Sequence, residues 1–115
     1  WIPAIVNLGD LYRQSGRDVE GESLLRDALE RYPAAASLQH SLGLLLVRQK
    51  KLMDALPSLR KATELAPENT RFLYVYAVAL QSVGKNKDAL KIVLKGLKTA
   101  PFDPGLLELR NELSR

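Results

Sequence analysis

The segment LGDLYRQSGRDVEGESLLRDALERYP, residues 8–33, recurs twice further along the chain in a diverged form. Its counterparts are LGLLLVRQKKLMDALPSLRKATELAP at 42–67 and YAVALQSVGKNKDALKIVLKGLKTAP at 76–101. Each copy ends in proline, so a proline recurs at an interval of 34 residues. A fixed period of this length indicates a repeat architecture, in which each copy forms one supersecondary unit. The chain therefore divides into three repeats and a terminal segment: 2–35, 36–69, 70–103 and 104–115.

Small residues occupy two equivalent places in each repeat. The first set is Gly9, Gly43 and Ala77, and the second set is Gly21, Ala55 and Ala89. The apolar residues around them are spaced by three and four, which indicates helices, and this spacing is interrupted once per repeat. Each repeat is therefore predicted to form helix, tight turn and helix, ended by its proline. Because helices that cross closely need small side chains at the contact, we expect Gly43 to face Ala55.

The register also decides an ambiguous stretch. FLYVYAVAL, Phe72 to Leu80, has nine residues in a row without a charge. Its aromatic and β-branched residues suit a buried strand, whereas an all-round apolar helix has the same composition. Since it aligns with AIVNLGDLY and LQHSLGLLL, the repeat predicts the first helix of the third unit.

Composition limits the class of protein. The chain has 115 residues, 46% hydrophobic residues and a net charge of +4, which suits one domain with a core. Its longest charge-free run is too short for a membrane span, and its N-terminus has no signal-like pattern. Without cysteine it has no disulfide, thiolate metal site or haem-attachment motif. Because it starts at Trp1 rather than Met, we interpret it as a fragment of a longer protein.

The repeat resembles the tetratricopeptide repeat family over about nine tenths of the chain. The motif is carried by Ile5, Leu8, Gly9, Tyr12, Leu25, Ala28 and Pro33, and again by Leu42, Gly43, Ala55, Leu59, Ala62 and Pro67. The resemblance implies a single all-α domain over 1–115, a right-handed superhelix of three helix-turn-helix repeats with 104–115 as a capping helix. One departure is Pro57, where we expect the helix to begin late or bend.

In tetratricopeptide arrays the first helix of each repeat lines a concave groove. Carried over to this chain, the central and rim positions of that groove are Asp10, Arg13, His40, Leu44, Val47, Arg48, Arg71, Tyr74, Val75 and Val78. An apolar surface rimmed by charge is typical of a partner site. We therefore expect a protein or peptide segment with apolar side chains, whose carboxylates or carbonyls are held by the arginines.

Two other interpretations of this surface stay open. In the first interpretation, neighbouring repeats or a flanking segment of the parent protein fill the groove. In the other, the chain is a structural or assembly spacer, which pairs with itself as a homo-oligomer or positions a neighbouring domain. Arrays of this family that clamp the carboxylate tails of heat-shock chaperones use positions matched here by Val6, Asp10, Ser41, Arg71 and Val75. Only Arg71 is basic, so no such clamp is expected.

A basic stripe follows the second helix of the third repeat. Lys87, Lys91, Lys95 and Lys98 recur at helical spacing, which suits an acidic protein, phospholipid headgroups or nucleic acid. The alternative is the solvated face of an amphipathic outer helix. Nucleic acid is the least favoured partner, because no arginine or aromatic residue is interleaved with the lysines.

The chain is not expected to be an enzyme. His40 is the only histidine, and no nucleophile, metal-ligand or phosphate-loop spacing occurs, so no cofactor is expected either. A narrower resemblance concerns LYRQSGRDVEGESLLRDAL, HSLGLLLVRQKK and YVYAVALQSVGK, which look like repeat arrays of bacterial multihaem cytochrome c-type proteins. It implies an exported, periplasmic parent with haem-binding cysteines before Trp1. Without it, the default compartment is the cytoplasm.

Overall fold

The computed structural model describes all residues, 1–115, and contains seven α-helices and no strand. The predicted all-α helical-repeat fold is therefore confirmed. Equivalent helices begin at intervals of 34 residues, as the sequence period requires. Their bounds are α1 Ile2–Gln14, α2 Asp18–Arg31, α3 Ala36–Arg48, α4 Leu52–Leu65, α5 Thr70–Ser82, α6 Asn86–Thr99 and α7 Pro104–Leu113.

The turn inside each repeat is the same hydrogen-bonded C-cap. Gly16, Lys50 and Gly84 have φ values of 73°, 61° and 81°, so each adopts the left-handed conformation. In the first repeat the Arg17 N–H donates to the Tyr12 carbonyl at 2.8 Å, and the Gly16 N–H donates to the Arg13 carbonyl at 3.2 Å. This pair of bonds defines a Schellman motif, which satisfies the last carbonyls of the helix.

The helices end and begin where the sequence provides caps. α2, α4 and α6 each stop two residues before the repeat's proline, which cannot continue a helix. The Asn69 side chain accepts a hydrogen bond from the Phe72 N–H at 3.1 Å at the start of α5. As predicted for α7, Asp103 accepts from the Leu106 N–H at 3.0 Å, and Pro104 occupies the first turn.

The chain forms two compact units, each with its own core. Unit 1 is residues 1–65, from α1 to α4, and unit 2 is residues 66–115, from α5 to α7. The fully buried leucines of unit 1 are Leu25, Leu38, Leu45, Leu46 and Leu59. Unit 2 buries Leu73, Val93 and Leu106 to the same extent. Each fully buried side chain of this size contributes about 1.5–3 kcal/mol relative to leaving it exposed.

The paired helices of a repeat cross at glycine, although the partner differs from the one expected. A Cβ added to Gly43 would lie 2.6 Å from Leu59 Cγ and 3.4 Å from the Leu59 backbone nitrogen. At Gly9 the same atom would lie 3.1 Å from the Leu25 side chain. The nearest neighbour of Gly43 is therefore Leu59 and not the expected Ala55. In the first two repeats the glycine of the first helix contacts a leucine of the second helix, four residues after the expected small residue.

Two local predictions had different outcomes. FLYVYAVAL lies entirely within α5, so the helical assignment is confirmed. In contrast, α4 begins at Leu52 and continues through Pro57, so the expectation of a late start was wrong. The first turn forms because the Lys51 carbonyl accepts from the Ala55 N–H at 2.9 Å, upstream of the bond that proline removes.

Replacing Gly43 with alanine tests the helix crossing. The added Cβ has no space beside Leu59, so we expect the free energy of unfolding to fall by about 1 to 3 kcal/mol, despite the higher helix propensity of alanine. Gly9→Ala is the matched control, because its neighbour needs to move by only a few tenths of an ångström. Urea unfolding of both variants measures the difference, and equal stability of the two would contradict the assigned contact.

Lys50→Gly tests the strain in the second turn. A residue with a Cβ is disfavoured in the left-handed conformation, whereas glycine adopts it freely. We expect the substitution to raise the free energy of unfolding by about 0.5 to 1 kcal/mol. Gly84→Ala, at the equivalent turn of unit 2, should change stability in the opposite direction. A thermal melt of each variant distinguishes these outcomes, and destabilisation by Lys50→Gly would show that the side chain itself supports the turn.

Candidate partner-binding surfaces

Helix α3 provides the predicted surface residues of unit 1. Leu44 and Val47 are half-buried, so each offers part of an apolar side chain to a partner. His40 is buried, and it therefore contributes little surface to any ligand. The apolar part of the predicted site in unit 1 consequently depends on the two aliphatic residues.

The charged residues of unit 1 that were predicted to rim this surface form ion pairs within the unit. Arg13 Nη2 lies 3.8 Å from Asp10 Oδ1, one turn away on α1. Arg48 Nε donates to Asp18 Oδ1 at 3.2 Å, which ties the end of α3 to the start of α2. Three of the four predicted rim charges, Asp10, Arg13 and Arg48, thus already have an opposite charge. They are less able to hold a partner's carboxylate than the sequence pattern implied.

A second network surrounds Glu22 on α2. Glu22 accepts hydrogen bonds from Arg26 at 2.9 Å and from Gln49 at 3.1 Å, and Lys51 lies 3.9 Å from it. These hydrogen bonds, from Arg26 first and then Gln49, hold the pKa of the Glu22 carboxyl below its usual value. The Glu22 carboxylate is therefore matched by partners inside the unit.

The first turn of α2 contains a further exposed pair. Arg17 donates to Glu20 at 2.7 Å, and this hydrogen bond raises the pKa of Arg17 and lowers the pKa of Glu20. The Arg17 guanidinium also lies 5.1 Å from the centroid of the Tyr12 ring. Because both charged groups are exposed, solvent screens their attraction, and the pair mainly orders the turn.

Unit 2 contains a pocket of about 190 Å³ at the N-terminal ends of α5 and α7. We call it the α5–α7 pocket, and its lining residues are Thr70, Arg71, Tyr74, Asp103 and Gly105. Arg71 and Tyr74 were predicted as partner-binding residues, and both are exposed. Unlike the rim charges of unit 1, Arg71 forms no ion pair. The pocket therefore presents a guanidinium without an ion pair together with an aromatic ring.

Glycine shapes the wall of this pocket. A Cβ added to Gly105 would lie 3.4 Å from Tyr74 Cδ2 and 3.5 Å from its Cε2, so the ring packs directly over the α7 backbone. The cap formed by Asp103 fixes the same turn of α7. Sequence reasoning recognised Asp103 as a helix cap and did not include Thr70, Asp103 or Gly105 in the site. The Asp103-Pro104-Gly105 sequence was the available signal.

The remaining predicted residues of α5 continue the surface away from the pocket. Val75 and Val78 are half-buried. Leu73, Tyr76 and Ala77, on the opposite side of the helix, are buried in the core. The exposed side of α5 thus carries Arg71 and Tyr74 at one end and valines beyond them. This arrangement suits an apolar side chain next to a hydrogen-bond acceptor.

One apolar face of helix α1 is exposed, whereas the equivalent face of α3 is buried. Leu8 is 39% exposed and Leu42 is 3% exposed, although the two occupy the same repeat position. For Leu11 and Leu45 the values are 58% and 0%. α3 buries these positions against α1 and α2, with Leu45 next to Gly21. The corresponding α1 face, formed by Ala4, Leu8 and Leu11, has no such cover.

No group of three or more acidic or histidine side chains is arranged to hold a metal ion. None of the seven helices combines the length and apolar character that a bilayer crossing demands. The candidate sites of this chain are the helix surfaces and the pocket described above.

Comparison with known proteins identifies the class. The profile of the family described as tetratricopeptide repeat matches residues 5–108, so the chain belongs to this family. Its members are typically interaction modules without enzymatic activity, and the chain is a protein-interaction scaffold of this class. The predicted family and its helix-turn-helix repeats are confirmed.

Particular relatives agree with this assignment. The human protein O-mannosyl-transferase TMTC2 is 30% identical over 104 residues, which cover 84% of this chain and 12% of TMTC2. The first tetratricopeptide domain of Spaghetti (RPAP3), bound to the HSP90 peptide SRMEEVD, has a TM-score of 0.85 at 18% identity and covers 96% of this chain and 88% of that one. Pseudomonas aeruginosa PilF also has a TM-score of 0.85, at 24% identity, covering 97% and 51%.

These similarities establish the fold and not a shared role. The chain spans between 8% and 50% of the length of three curated relatives that it matches, and identity to the structures is below a quarter in both cases. Activities and partners of the complete relatives therefore do not transfer to this chain.

Proposed function

We propose that the chain binds a peptide segment of a partner protein through the exposed side of α5, with an apolar side chain and a carboxylate as the recognised groups. The observation that carries the proposal is the α5–α7 pocket, where the unpaired Arg71 lies beside the exposed Tyr74. Within unit 1, Leu44 and Val47 offer a second apolar surface on α3.

The chemistry of the pocket favours a peptide over a small charged metabolite. A guanidinium donates to carboxylates or to backbone carbonyls, and a tyrosine ring packs against aliphatic side chains while its hydroxyl stays hydrated. Asp103 also lines the pocket, and its carboxylate opposes a ligand of high negative charge. A segment that combines one carboxylate with apolar residues satisfies both conditions.

The structural neighbours support a peptide as the ligand class. RPAP3 domains have been solved with the HSP90 peptide SRMEEVD and with the HSP70 peptide SGPTIEEVD. The present chain shares that fold and has only one of the basic residues expected of a chaperone-tail clamp. We therefore propose recognition dominated by apolar contacts, with Arg71 as a single polar anchor.

Selection from a displayed library of random peptides tests the proposal. We expect enriched peptides to share a large apolar residue next to an acidic one. Measured by fluorescence anisotropy, Tyr74→Ala should weaken binding of an enriched peptide about five- to thirtyfold, as expected for an aromatic anchor worth about 1–2 kcal/mol. Arg71→Gln should weaken binding of the acidic peptide. It should leave unchanged the binding of an analogue in which the acidic residue is replaced by its amide.

Lys91→Ala is the control for this experiment, because the side chain is exposed in unit 2 and lies outside the pocket. It should bind the enriched peptide like the wild type. If Tyr74→Ala also binds normally, or if the amide analogue loses affinity equally in Arg71→Gln, the α5–α7 pocket is not the peptide site.

The α1 face favours a second candidate function, assembly through a second copy of the chain. Three apolar positions that are buried in α3 are open in α1, and covering such positions stabilises stacked repeats. Self-association through α1 would make the chain an assembly domain that positions its neighbours. The two surfaces share no residue, since the α1 face belongs to unit 1 and the α5–α7 pocket belongs to unit 2.

Light scattering across a concentration series tests the assembly. We expect the wild type to form dimers as concentration rises and Leu11→Glu to stay monomeric, because a buried, unpaired carboxylate is strongly disfavoured at such a contact. Val19→Glu is the matched control, since Val19 is exposed on α2 and lies outside the α1 face. A monomeric wild type, or equal loss of dimer in both variants, would reject this candidate.

A further inference from the structure

One surface of unit 2 has no role in the proposed peptide site. Helix α6 carries Lys87, Lys91, Lys95 and Lys98, which we call the lysine face, and all four side chains are exposed. A helix advances about 100° per residue, so these residues occupy an arc of about 80° along three turns. The opposite side of α6 is buried through Ala89, Val93 and Gly96. The lysines therefore form one continuous outward surface.

The lysines of the lysine face form no ion pairs, whereas many charged residues of unit 1 do. All five ion pairs of the chain are formed by residues of unit 1. Residues 66–115 contain eight basic and five acidic side chains, and none of them forms an ion pair. Asp88 is the one acidic residue on α6. The positive potential over α6 is thus available to an external anionic partner.

Apolar groups accompany these charges. Leu94 is 45% exposed, and its helical position lies beside Lys87 and Lys98. Phe102, in the turn that follows α6, is almost fully exposed as well. Leu94 thus adds apolar surface to the lysine face, and apolar side chains that reach a bilayer interface enter the boundary between headgroups and acyl chains.

The type of cation distinguishes a lipid surface from an acidic protein. Residues 85–98 contain five lysines and no arginine. Lysine is a compact, mobile charge without the fork geometry that arginine uses for paired recognition of carboxylates. Clustered lysines on an amphipathic helix attract anionic headgroups without requiring fixed partner positions. We propose that the lysine face and Leu94 bind peripherally to bilayers rich in anionic phospholipids.

Co-sedimentation with vesicles of phosphatidylglycerol and phosphatidylcholine in equal parts tests the proposal. We expect the protein to sediment with these vesicles and not with phosphatidylcholine alone, and added sodium chloride should release it because salt screens the attraction. The triple variant Lys87→Gln, Lys91→Gln, Lys95→Gln should reduce the partition coefficient about a hundredfold, since each lysine near an anionic surface contributes about fivefold. Leu94→Ser should reduce it several-fold.

The triple variant Lys50→Gln, Arg60→Gln, Lys61→Gln is the matched control, because it removes the same net charge from exposed positions of unit 1. It should keep most of the vesicle binding. Equal loss in the two triple variants, binding to phosphatidylcholine alone, or binding to polyglutamate with none to anionic vesicles would overturn the proposal. Circular dichroism checks that both variants remain helical. The lysine variant should still bind a peptide selected on the α5–α7 pocket, so the two proposals fail independently.

Discussion

Contact between a helix backbone and a buried leucine determines how the first two repeats are built. Gly43 has no side chain, and Leu59 occupies the space that a Cβ would take. This contact sets how closely α3 and α4 approach, and Leu46 and Ala55 are buried on the same two helices. Gly9 and Leu25 repeat the arrangement with a slightly looser fit. The positions of surface residues such as Leu44 and Val47 follow from this crossing, because they lie on the outer side of a helix whose rotation it fixes.

Periodicity determined most of the fold in advance. The 34-residue interval placed all six repeat helices, and the residues that end them, Pro33 among them, are recognisable without a structure. The partner of Gly43 was less accessible, because spacing along one helix does not specify the crossing angle with another. The late start expected from Pro57 was wrong for a related reason. Its effect depends on which carbonyl loses a donor, and the first turn of α4 is held by Lys51 instead.

The candidate sites were only partly visible in the sequence. Tyr74 and Arg71 were identified by repeat position, and the structure brings them together in one pocket. Asp103 and Gly105 were missed as lining residues because α7 departs from the repeat motif that guided the assignment. The pairing of Arg48 with Asp18 was also missed, since it joins residues 30 positions apart and leaves no local pattern. Exposed charges along one helix, in contrast, were read directly from the spacing of the lysines.

The crossing contact also has a kinetic consequence. Gly9 and Leu25 are 16 residues apart in the chain, and so are Gly43 and Leu59. A loop of this length closes at small entropic cost, and folding rates rise as contacts become more local. Each helix-turn-helix repeat can therefore act as a folding nucleus, and folding can start in any repeat and spread to its neighbour. A chain of this kind emerging from the ribosome can bury its first core before the last repeat has been synthesised.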